Sequence, residues 1–180
     1  EDPDRPEARV RLGVANDAAF CFYYADNLDR LVRAGAEIVF FSPMTDRLPE
    51  VDALYLGGGY PELHAEALAA SRCREDVRQA VDDGMLVFAE CGGLIYLTEQ
   101  LTTTDGDYPM AGVLPASAVM TDRLQALGYV EARVVGTTPV LAQGSAFRGQ
   151  EYHYSRLDCA PDARFALELA RGRGIDGGRD

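Results

Sequence analysis

The sequence predicts an α/β fold in which a mostly parallel sheet is flanked by helices and followed by a mixed or antiparallel C-terminal extension. Strand-like and helix-like segments alternate before residue 100, which is typical of a parallel sheet. The pattern changes after Leu101, where β-like segments are separated by glycine and proline. Because ligands bind beyond the carboxyl ends of parallel strands, functional residues are expected there.

The N-terminal part of the chain alternates strands with helices. Residues 9–15 alternate in polarity and end apolar, which predicts a strand. Apolar residues recur at helical spacing over 24–34, and Gly35 then provides a C-cap. The same reasoning predicts strands at 37–42, 51–56 and 85–89, a helix that begins at Pro61, and another at 74–83.

Cys91 lies at a tight turn between a predicted strand and a predicted helix. The segment 85–97 reads M-L-V-F-A-E-C-G-G-L-I-Y-L, an order that resembles the nucleophile elbow. Gly92 and Gly93 let another group approach the backbone, and the N–H groups that open the helix favour a thiolate. We predict that Cys91 is a nucleophile and that the N–H of Gly92 holds an oxyanion. The alternative is that Cys91 is a small, inert core residue.

Three consecutive glycines follow the strand predicted at 51–56, at a second carboxyl end. The run is too short for a phosphate-binding loop and is not followed by lysine, so that function is excluded. Glycine exposes its N–H without side-chain obstruction, which makes Gly58 and Gly59 candidate oxyanion donors. The alternative is an ordinary flexible turn.

The C-terminal part contributes a second group of candidate residues. In the strand-like sequence E-Y-H-Y-S at 151–155, Glu151 and His153 face the same side because side chains alternate along a strand. A carboxylate beside an imidazole orients it and raises its basicity, so His153 is a candidate base. The alternative is a structural histidine on a strand. Glu90 and Tyr154 are further candidates for the lining of the pocket.

The other segments of the C-terminal part are predicted from the glycine and proline residues that separate them. The segment 102–107 is polar and turn-like, and the remaining segments are β-like: 111–119, 126–135, 150–157 and 164–170. Residues 1–8 are predicted to be a charged linker and residues 171–180 a flexible tail, which leaves one domain over 9–170.

The composition excludes several classes of partner. The net charge is −12, and all 17 basic residues are arginine. A surface this acidic repels nucleic acid and anionic lipid, so neither is expected to bind. The excess of acidic residues and the absence of lysine also suggest, as a hypothesis, a source organism with a saline cytoplasm. No apolar run is long enough to cross a bilayer, and the N-terminal residues lack the features of a signal peptide, so we expect a cytoplasmic location.

The cysteines and histidines do not have the spacing of a metal site. The four cysteines form no C-x-x-C pair, and the two histidines lie far apart in sequence. We therefore expect no metal in this domain, and the cysteines of a cytoplasmic chain need not form disulfides.

Three motifs in order resemble one enzyme family. The motifs are L-G-G-G-Y-P-E at 56–62, A-E-C-G-G-L-I-Y-L at 89–97 and E-Y-H-Y-S at 151–155. Together they resemble the C-terminal class I glutamine amidotransferase domain of the cobyrinic acid a,c-diamide synthase family, over nearly the whole chain from Arg9. Most class I amidotransferases have glycine two residues before the cysteine, whereas Ala89 stands here, as in the cobyrinic acid branch.

The resemblance implies a reaction for the candidate residues. Cys91 would attack the side-chain amide of glutamine, give a thioester and release ammonia. Backbone N–H groups at Gly58 or Gly59 and at Gly92 would bind the oxyanion. Water would then free glutamate. The family's activating histidine usually lies in a Tyr-x-His-x-His segment, which this sequence lacks, so His153 is placed at the pocket wall rather than assigned as the base. Weak or no glutaminase activity is expected from this chain alone.

The resemblance also implies a partner domain. In the whole enzyme, ammonia passes to an N-terminal synthetase domain that uses ATP and Mg²⁺ to activate the a and c acetate groups of a corrinoid, a step of cobalamin biosynthesis. The sequence has no G-x-x-x-x-G-K-[ST] loop, so that half is expected to be absent, and no cofactor is expected in this domain.

Other functions remain open from the sequence. A sister enzyme amidates nickel-sirohydrochlorin, and cobyric acid synthase amidates other corrinoid carboxylates; their amidotransferase halves barely differ. A non-catalytic amidotransferase-like binding module is an alternative from a different class. A cysteine hydrolase of the α/β-hydrolase type would require glycine on both sides of the elbow and a late acid–histidine pair, of which only part is present.

Overall fold

The computed structural model describes residues 9–180, so the linker predicted at 1–8 lies outside the described residues. The chain forms two compact units. Of the described residues, the first unit contains 9–99 together with 108–114, and the second contains 100–107 and 115–180. The domain predicted over 9–170 is thus divided close to Leu101, where the sequence pattern changes.

A four-stranded parallel sheet forms the centre of the first unit. Its strands are β1 (Val10–Ala15), β2 (Ala36–Phe41), β3 (Ala53–Leu56) and β4 (Leu86–Ala89), in the order β2-β1-β3-β4. Each lies within two residues of the strand that the sequence predicts. Because β3 and β4 are neighbours, the glycine run and Cys91 leave the sheet at the same edge.

Helices connect these strands. They are α1 (Ala25–Arg33), α2 (Ala65–Ala70), α3 (Cys73–Asp82) and α4 (Gly92–Leu97). The helix predicted to begin at Pro61 starts instead as a 3-10 turn, Pro61–His64, and becomes α-helical at Ala65. Val14, Leu54, Leu56, Leu68 and Val77 are among the fully buried side chains of this unit, so the apolar positions of strands and helices meet in one core.

The second unit is mixed and mostly antiparallel, as the sequence predicts. One sheet has the order β10-β7-β5-β6 and the other the order β11-β8-β9. The strands are β5 (Gln100–Thr103), β6 (Gly106–Pro109), β7 (Ala116–Met120), β8 (Ala126–Val134), β9 (Ala146–His153), β10 (Ser155–Cys159) and β11 (Leu167–Arg171). The first two residues of β6 belong to this unit, and the rest of that strand belongs to the first unit.

The structure differs in part from the predictions for residues 102–119. The segment predicted to be a polar turn does contain a turn, at 104–105, but the residues on either side belong to β5 and β6, a hairpin in which the Thr102 hydroxyl donates to the Asp107 carboxylate at 2.6 Å. The strand expected from residue 111 begins only at Ala116. The N–H groups of residues 111–114 are bound by backbone oxygens of residues 96–98, so they do not form strand pairs.

The last residues are less irregular than the sequence predicts. Residues 171–180 form a series of turns rather than a structureless tail. Leu167 and Asp180 exchange two backbone hydrogen bonds, at 2.7 and 3.1 Å, and Glu168 pairs with Arg179 in an antiparallel bridge. Glycines with positive φ at 172, 174, 177 and 178 allow the reversals. Within residues 9–180, no helix is long and apolar enough to cross a bilayer.

Candidate functional site

Cys91 occupies a strained elbow between β4 and α4. Its φ is 52° and its ψ is −113°, and it is the only non-glycine residue of positive φ in the described part of the chain. Such a conformation costs on the order of 1–3 kcal/mol and persists only where neighbouring contacts hold it. Here the N–H of Glu90 donates to Leu56 O at 3.0 Å and the N–H of Gly93 donates to Gly57 O at 2.9 Å. These bonds fasten both sides of the elbow to the end of β3.

Two backbone N–H groups, those of Gly92 and Gly59, lie close enough to the sulfur of Cys91 to lower the pKa of its thiol. A Cβ on Gly92 would lie 3.1 Å from the Gly59 nitrogen, and one on Gly59 would lie 2.0 Å from Ala19 O. Position 59 therefore requires glycine, because the backbone of Ala19 approaches it too closely for a side chain, whereas a side chain at Gly92 would be tight against Pro61 and the Gly59 nitrogen. The arrangement brings together two of the three predicted oxyanion donors at the predicted nucleophile.

Gly58 has a different environment from its neighbours. Its carbonyl oxygen accepts the N–H groups of Cys21 and Phe22, each at 3.0 Å. A Cβ on Gly58 would lie 3.5 Å from Cys91 Cβ, so this glycine also borders the site. Its predicted role as an oxyanion donor stays a prediction.

The thiol of Cys91 is neutral at neutral pH because its pKa is raised. Withdrawal from solvent is the largest cause, and the charges of Glu62 and Glu90 add to it. The N–H groups of Gly92 and Gly59 lower the pKa but do not outweigh these effects. The expected preference for the thiolate at the helix N-terminus is thus opposed by burial and by two carboxylates. Attack by this sulfur requires a group that accepts its proton.

Glu90 is held beside the elbow by a tyrosine. The hydroxyl of Tyr55 donates to Glu90 Oε1 at 2.5 Å. Burial and this negatively charged partner both raise the pKa of Tyr55, so the phenol keeps its proton. One oxygen of the predicted pocket residue Glu90 is therefore already engaged, and its negative charge acts on Cys91.

Aromatic residues from the segment after β1 border the same edge of the sheet. Phe22 pairs with Gly58 in an antiparallel bridge, and its ring meets that of Tyr60 edge to face with centroids 5.0 Å apart. Both rings are about half exposed, at 51% and 44%. Tyr23, the next residue, contacts Gly57. Sequence reasoning missed these three residues. The available signal for Phe22 and Tyr23 was an aromatic run after a predicted strand, and Tyr60 directly follows the glycine run.

The remaining candidates lie in the second unit. His153 Nδ1 is 2.8 Å from Ser155 O, so in the neutral ring Nδ1 carries the proton and Nε2 is the acceptor. The Glu151 carboxylate accepts the N–H groups of Arg173 and Gly174, at 2.8 and 2.7 Å. The expectation that Glu151 orients the imidazole is therefore not met, because the turn at 172–174 and Ser155 supply the partners. Tyr154 is 40% exposed and packs edge to face on Tyr152.

A second carboxyl group, that of Asp180, lies near Glu151 and His153. Burial raises the pKa of Asp180, the negative charge of Glu151 raises it further, and His153 lowers it.

No group of three or more His, Cys, Asp or Glu residues suited to a metal ion occurs between residues 9 and 180. The cysteines at 21, 73, 91 and 159 are all free thiols.

Comparison with known sequences gives one family. Residues 11–180 match the CobB/CobQ-like glutamine amidotransferase domain. Cobyrinate a,c-diamide synthase of Halobacterium salinarum is 50% identical over 177 residues, which cover 97% of this chain and 40% of that protein. The protein of the same name from Haloarcula marismortui is 49% identical over 179 residues, covering 98% and 40%. The chain thus spans about two fifths of the length of these relatives.

Solved structures give the same fold. PurLQS from Thermotoga maritima superimposes with a TM-score of 0.68 at 18% identity, over 93% of this chain and 77% of that one. A glutamine amidotransferase gives a TM-score of 0.61 at 20% identity, over 88% and 79%. At such identities the likeness concerns the fold alone. It confirms the predicted class I glutamine amidotransferase-like α/β fold.

Proposed function

Because the chain belongs to the CobB/CobQ-like glutamine amidotransferase domain family, we propose that it hydrolyses glutamine through Cys91 and supplies the ammonia to an amide-forming ligase. One observation carries this assignment to the site: the N–H groups of Gly59 and Gly92 converge on the sulfur of a cysteine held at a strained elbow. An inert structural cysteine requires neither the strain nor the two donors.

The proposed reaction follows from the groups at the elbow. The sulfur attacks the side-chain amide carbon of glutamine, and its proton passes through a base to the amide nitrogen, which leaves as ammonia. The oxygen becomes negatively charged in the tetrahedral intermediate, where the N–H groups of Gly59 and Gly92 stabilise it. Water then attacks the thioester, releases glutamate and returns the proton to the sulfur.

The base is not assigned by the groups that act on the sulfur. The side chains that shift the pKa of Cys91 are the carboxylates of Glu62 and Glu90, and they oppose the thiolate. We propose that a histidine accepts the proton, as the resemblance to the family implies. His153 stays a candidate for the pocket wall, with Glu151 and Tyr154 beside it on the same stretch of chain.

We further propose that the ammonia amidates the a and c acetate groups of cobyrinic acid. The name shared by the two relatives supports this acceptor. The three fifths of their length that this chain does not cover would carry the ATP- and Mg²⁺-dependent synthetase. Nickel-sirohydrochlorin and the other corrinoid carboxylates are the competing acceptors.

The glutaminase step is tested by covalent labelling of the full-length protein with a diazo-ketone analogue of glutamine. Intact mass should show one adduct, peptide mapping should place it on Cys91, and glutamine should slow its formation. The variant Cys91→Ser should not be labelled, whereas Cys21→Ser, which removes another exposed thiol, should be labelled as the wild type is. An adduct elsewhere, or none, would overturn the proposal in favour of a non-catalytic module.

The acceptor is tested separately with ATP, Mg²⁺ and glutamine. Cobyrinic acid should be converted to a product carrying two new amides, as read by mass spectrometry. Faster conversion of nickel-sirohydrochlorin, or of a corrinoid that already carries the a and c amides, would reassign the acceptor and leave the glutaminase assignment intact.

A further inference from the structure

We infer that Tyr23 is a positioning residue of the glutaminase site, whose hydroxyl group holds the glycine loop so that the N–H of Gly59 points at the Cys91 sulfur. This inference rests on the proposed function, since it concerns the oxyanion donors of that reaction. Tyr23 acts through Gly57, whose N–H its hydroxyl group accepts.

The hydroxyl of Tyr23 joins two strands of the parallel sheet at their carboxyl ends. It donates to the carbonyl oxygen of Ala15, the last residue of β1, and it accepts the N–H of Gly57, the first residue after β3, at 2.9 Å. Ala15 and Gly57 are both buried. Without this hydroxyl, each would be left with a buried polar group that has lost its partner.

Packing places the Tyr23 ring directly on the glycine loop. A Cβ on Gly57 would lie 2.5 Å from Tyr23 Cε1, so the absence of a side chain at 57 is what allows the contact. On its other side the ring meets Tyr55 edge to face, with centroids 5.2 Å apart. The ring is therefore confined, and the hydroxyl has a fixed position between β1 and the loop.

The loop held by Tyr23 is the one that carries the donor. Gly57 is tied to the elbow as well, because its carbonyl oxygen accepts the N–H of Gly93. Gly59 lies two residues further along, where its N–H meets the sulfur and the next N–H, that of Tyr60, donates to Ala19 O at 3.0 Å. Fixing the peptide of Gly57 on both sides limits the freedom of the donor two residues away.

The Tyr23 hydroxyl keeps its proton, and therefore its bridging role, over the range of pH in which the enzyme would work. Burial raises the pKa of Tyr23 to about 12, the N–H of Gly57 lowers it, and nearby negative charges including Glu90 raise it. The phenol therefore stays protonated and able to donate to Ala15.

The test is Tyr23→Phe in the full-length protein, with Tyr24→Phe as the matched control. Tyr24 is the adjacent residue, and its side chain is 70% exposed. Because outright loss of an oxyanion donor lowers kcat about 100- to 1,000-fold, displacement of one by Tyr23→Phe is expected to lower glutaminase kcat ~10-fold, with KM changed less than about twofold. Tyr24→Phe should match the wild type in both constants.

A second readout separates positioning from general destabilisation. The rate of Cys91 alkylation by iodoacetamide against pH reports the thiol pKa, which the Gly59 N–H lowers. Tyr23→Phe should move the midpoint of this pH profile to higher pH, and Tyr24→Phe should leave the midpoint unchanged. An unchanged midpoint and an unchanged kcat would overturn the inference, as would a fall in thermal stability with no change in either.

A different variant covers the case in which Tyr23→Phe does not fold. Gly57→Ala should displace the ring from the loop, because of the 2.5 Å contact, and reproduce the kinetic defect. If both variants fold, the double variant should lose little more than either single one; additive losses would overturn the inference. The alkylation readout is independent of glutamine, so it tests whether Tyr23 positions the Gly59 N–H even if the diazo-ketone labelling refutes the proposed function.

Discussion

Replacing Gly59 by alanine tests whether close backbone approach explains the glycine loop. The added Cβ would lie 2.0 Å from Ala19 O and 2.9 Å from Phe20 Cα. The oxygen would have to move roughly 1.4 Å to reach the 3.4 Å at which ordinary contact begins. It cannot do so freely, since Ala19 and Phe20 are fully buried and Ala19 O accepts the N–H of Tyr60.

These constraints set the size of the expected losses of stability and of kcat in Gly59→Ala. Overpacking of a buried site lowers the free energy of unfolding by about 1–3 kcal/mol. Because backbone atoms lie on both sides of this contact, we expect a loss of about 3 kcal/mol. For a chain of 180 residues that corresponds to a fall in Tm of about 6–12 °C. The same shift would move the Gly59 N–H away from the sulfur, so kcat for glutamine is expected to fall about 100-fold.

The assay is thermal unfolding of the full-length protein followed by circular dichroism, together with glutaminase kinetics. Gly149→Ala is the matched control, because Gly149 lies on the exposed strand β9 and a Cβ there meets nothing within 4 Å. The control should keep the wild-type kcat and a Tm within about 2 °C. A Gly59→Ala protein that equals this control in both measurements would refute the reasoning.

Three further outcomes are expected. Glu62→Gln removes a negative charge that raises the pKa of Cys91, so the alkylation midpoint should move to lower pH; a midpoint that stays or rises would contradict this. His153→Asn should lower kcat less than about 10-fold, whereas a loss of about 100-fold or more would identify His153 as the base. Because the net charge is −12, the urea midpoint should rise from about 0.1 M to about 1 M KCl as screening weakens self-repulsion; an unchanged midpoint would count against the saline-cytoplasm hypothesis.

The sequence predicted the parallel sheet and the elbow because both depend on short-range patterns. Each strand of the first sheet is a short, mostly apolar segment followed by glycine or a polar residue, and such segments are recognisable without knowledge of their neighbours. The step from β4 through Cys91 to Gly92 and Gly93 is likewise local. The pairing of β3 with β4 then follows from the topology of parallel sheets and brings the two glycine segments together.

The features that were missed depend on partners far away in the chain. Tyr23 bridges Ala15 and Gly57, and nothing in its local sequence indicates either contact. Glu151 binds a turn that lies 22 residues further on, so spacing along one strand suggested the wrong partner for it. The strand expected from residue 111 begins only at Ala116, because the N–H groups of residues 111–114 donate to carbonyl oxygens of residues 96–98. Raised pKa values have the same origin, since burial is a property of the folded chain.

The backbone of Cys91 also constrains which residues position 91 can accept. Glycine would relax the positive φ at this elbow but would remove the sulfur, whereas alanine and serine would keep the strain and lose the thiol. Cysteine is thus among the less stable choices for the fold at this position. Random substitution followed by selection for stability alone would be expected to drift towards glycine there. Retaining cysteine under such pressure would require selection for chemistry, so under the proposed function position 91 is a compromise between stability and activity.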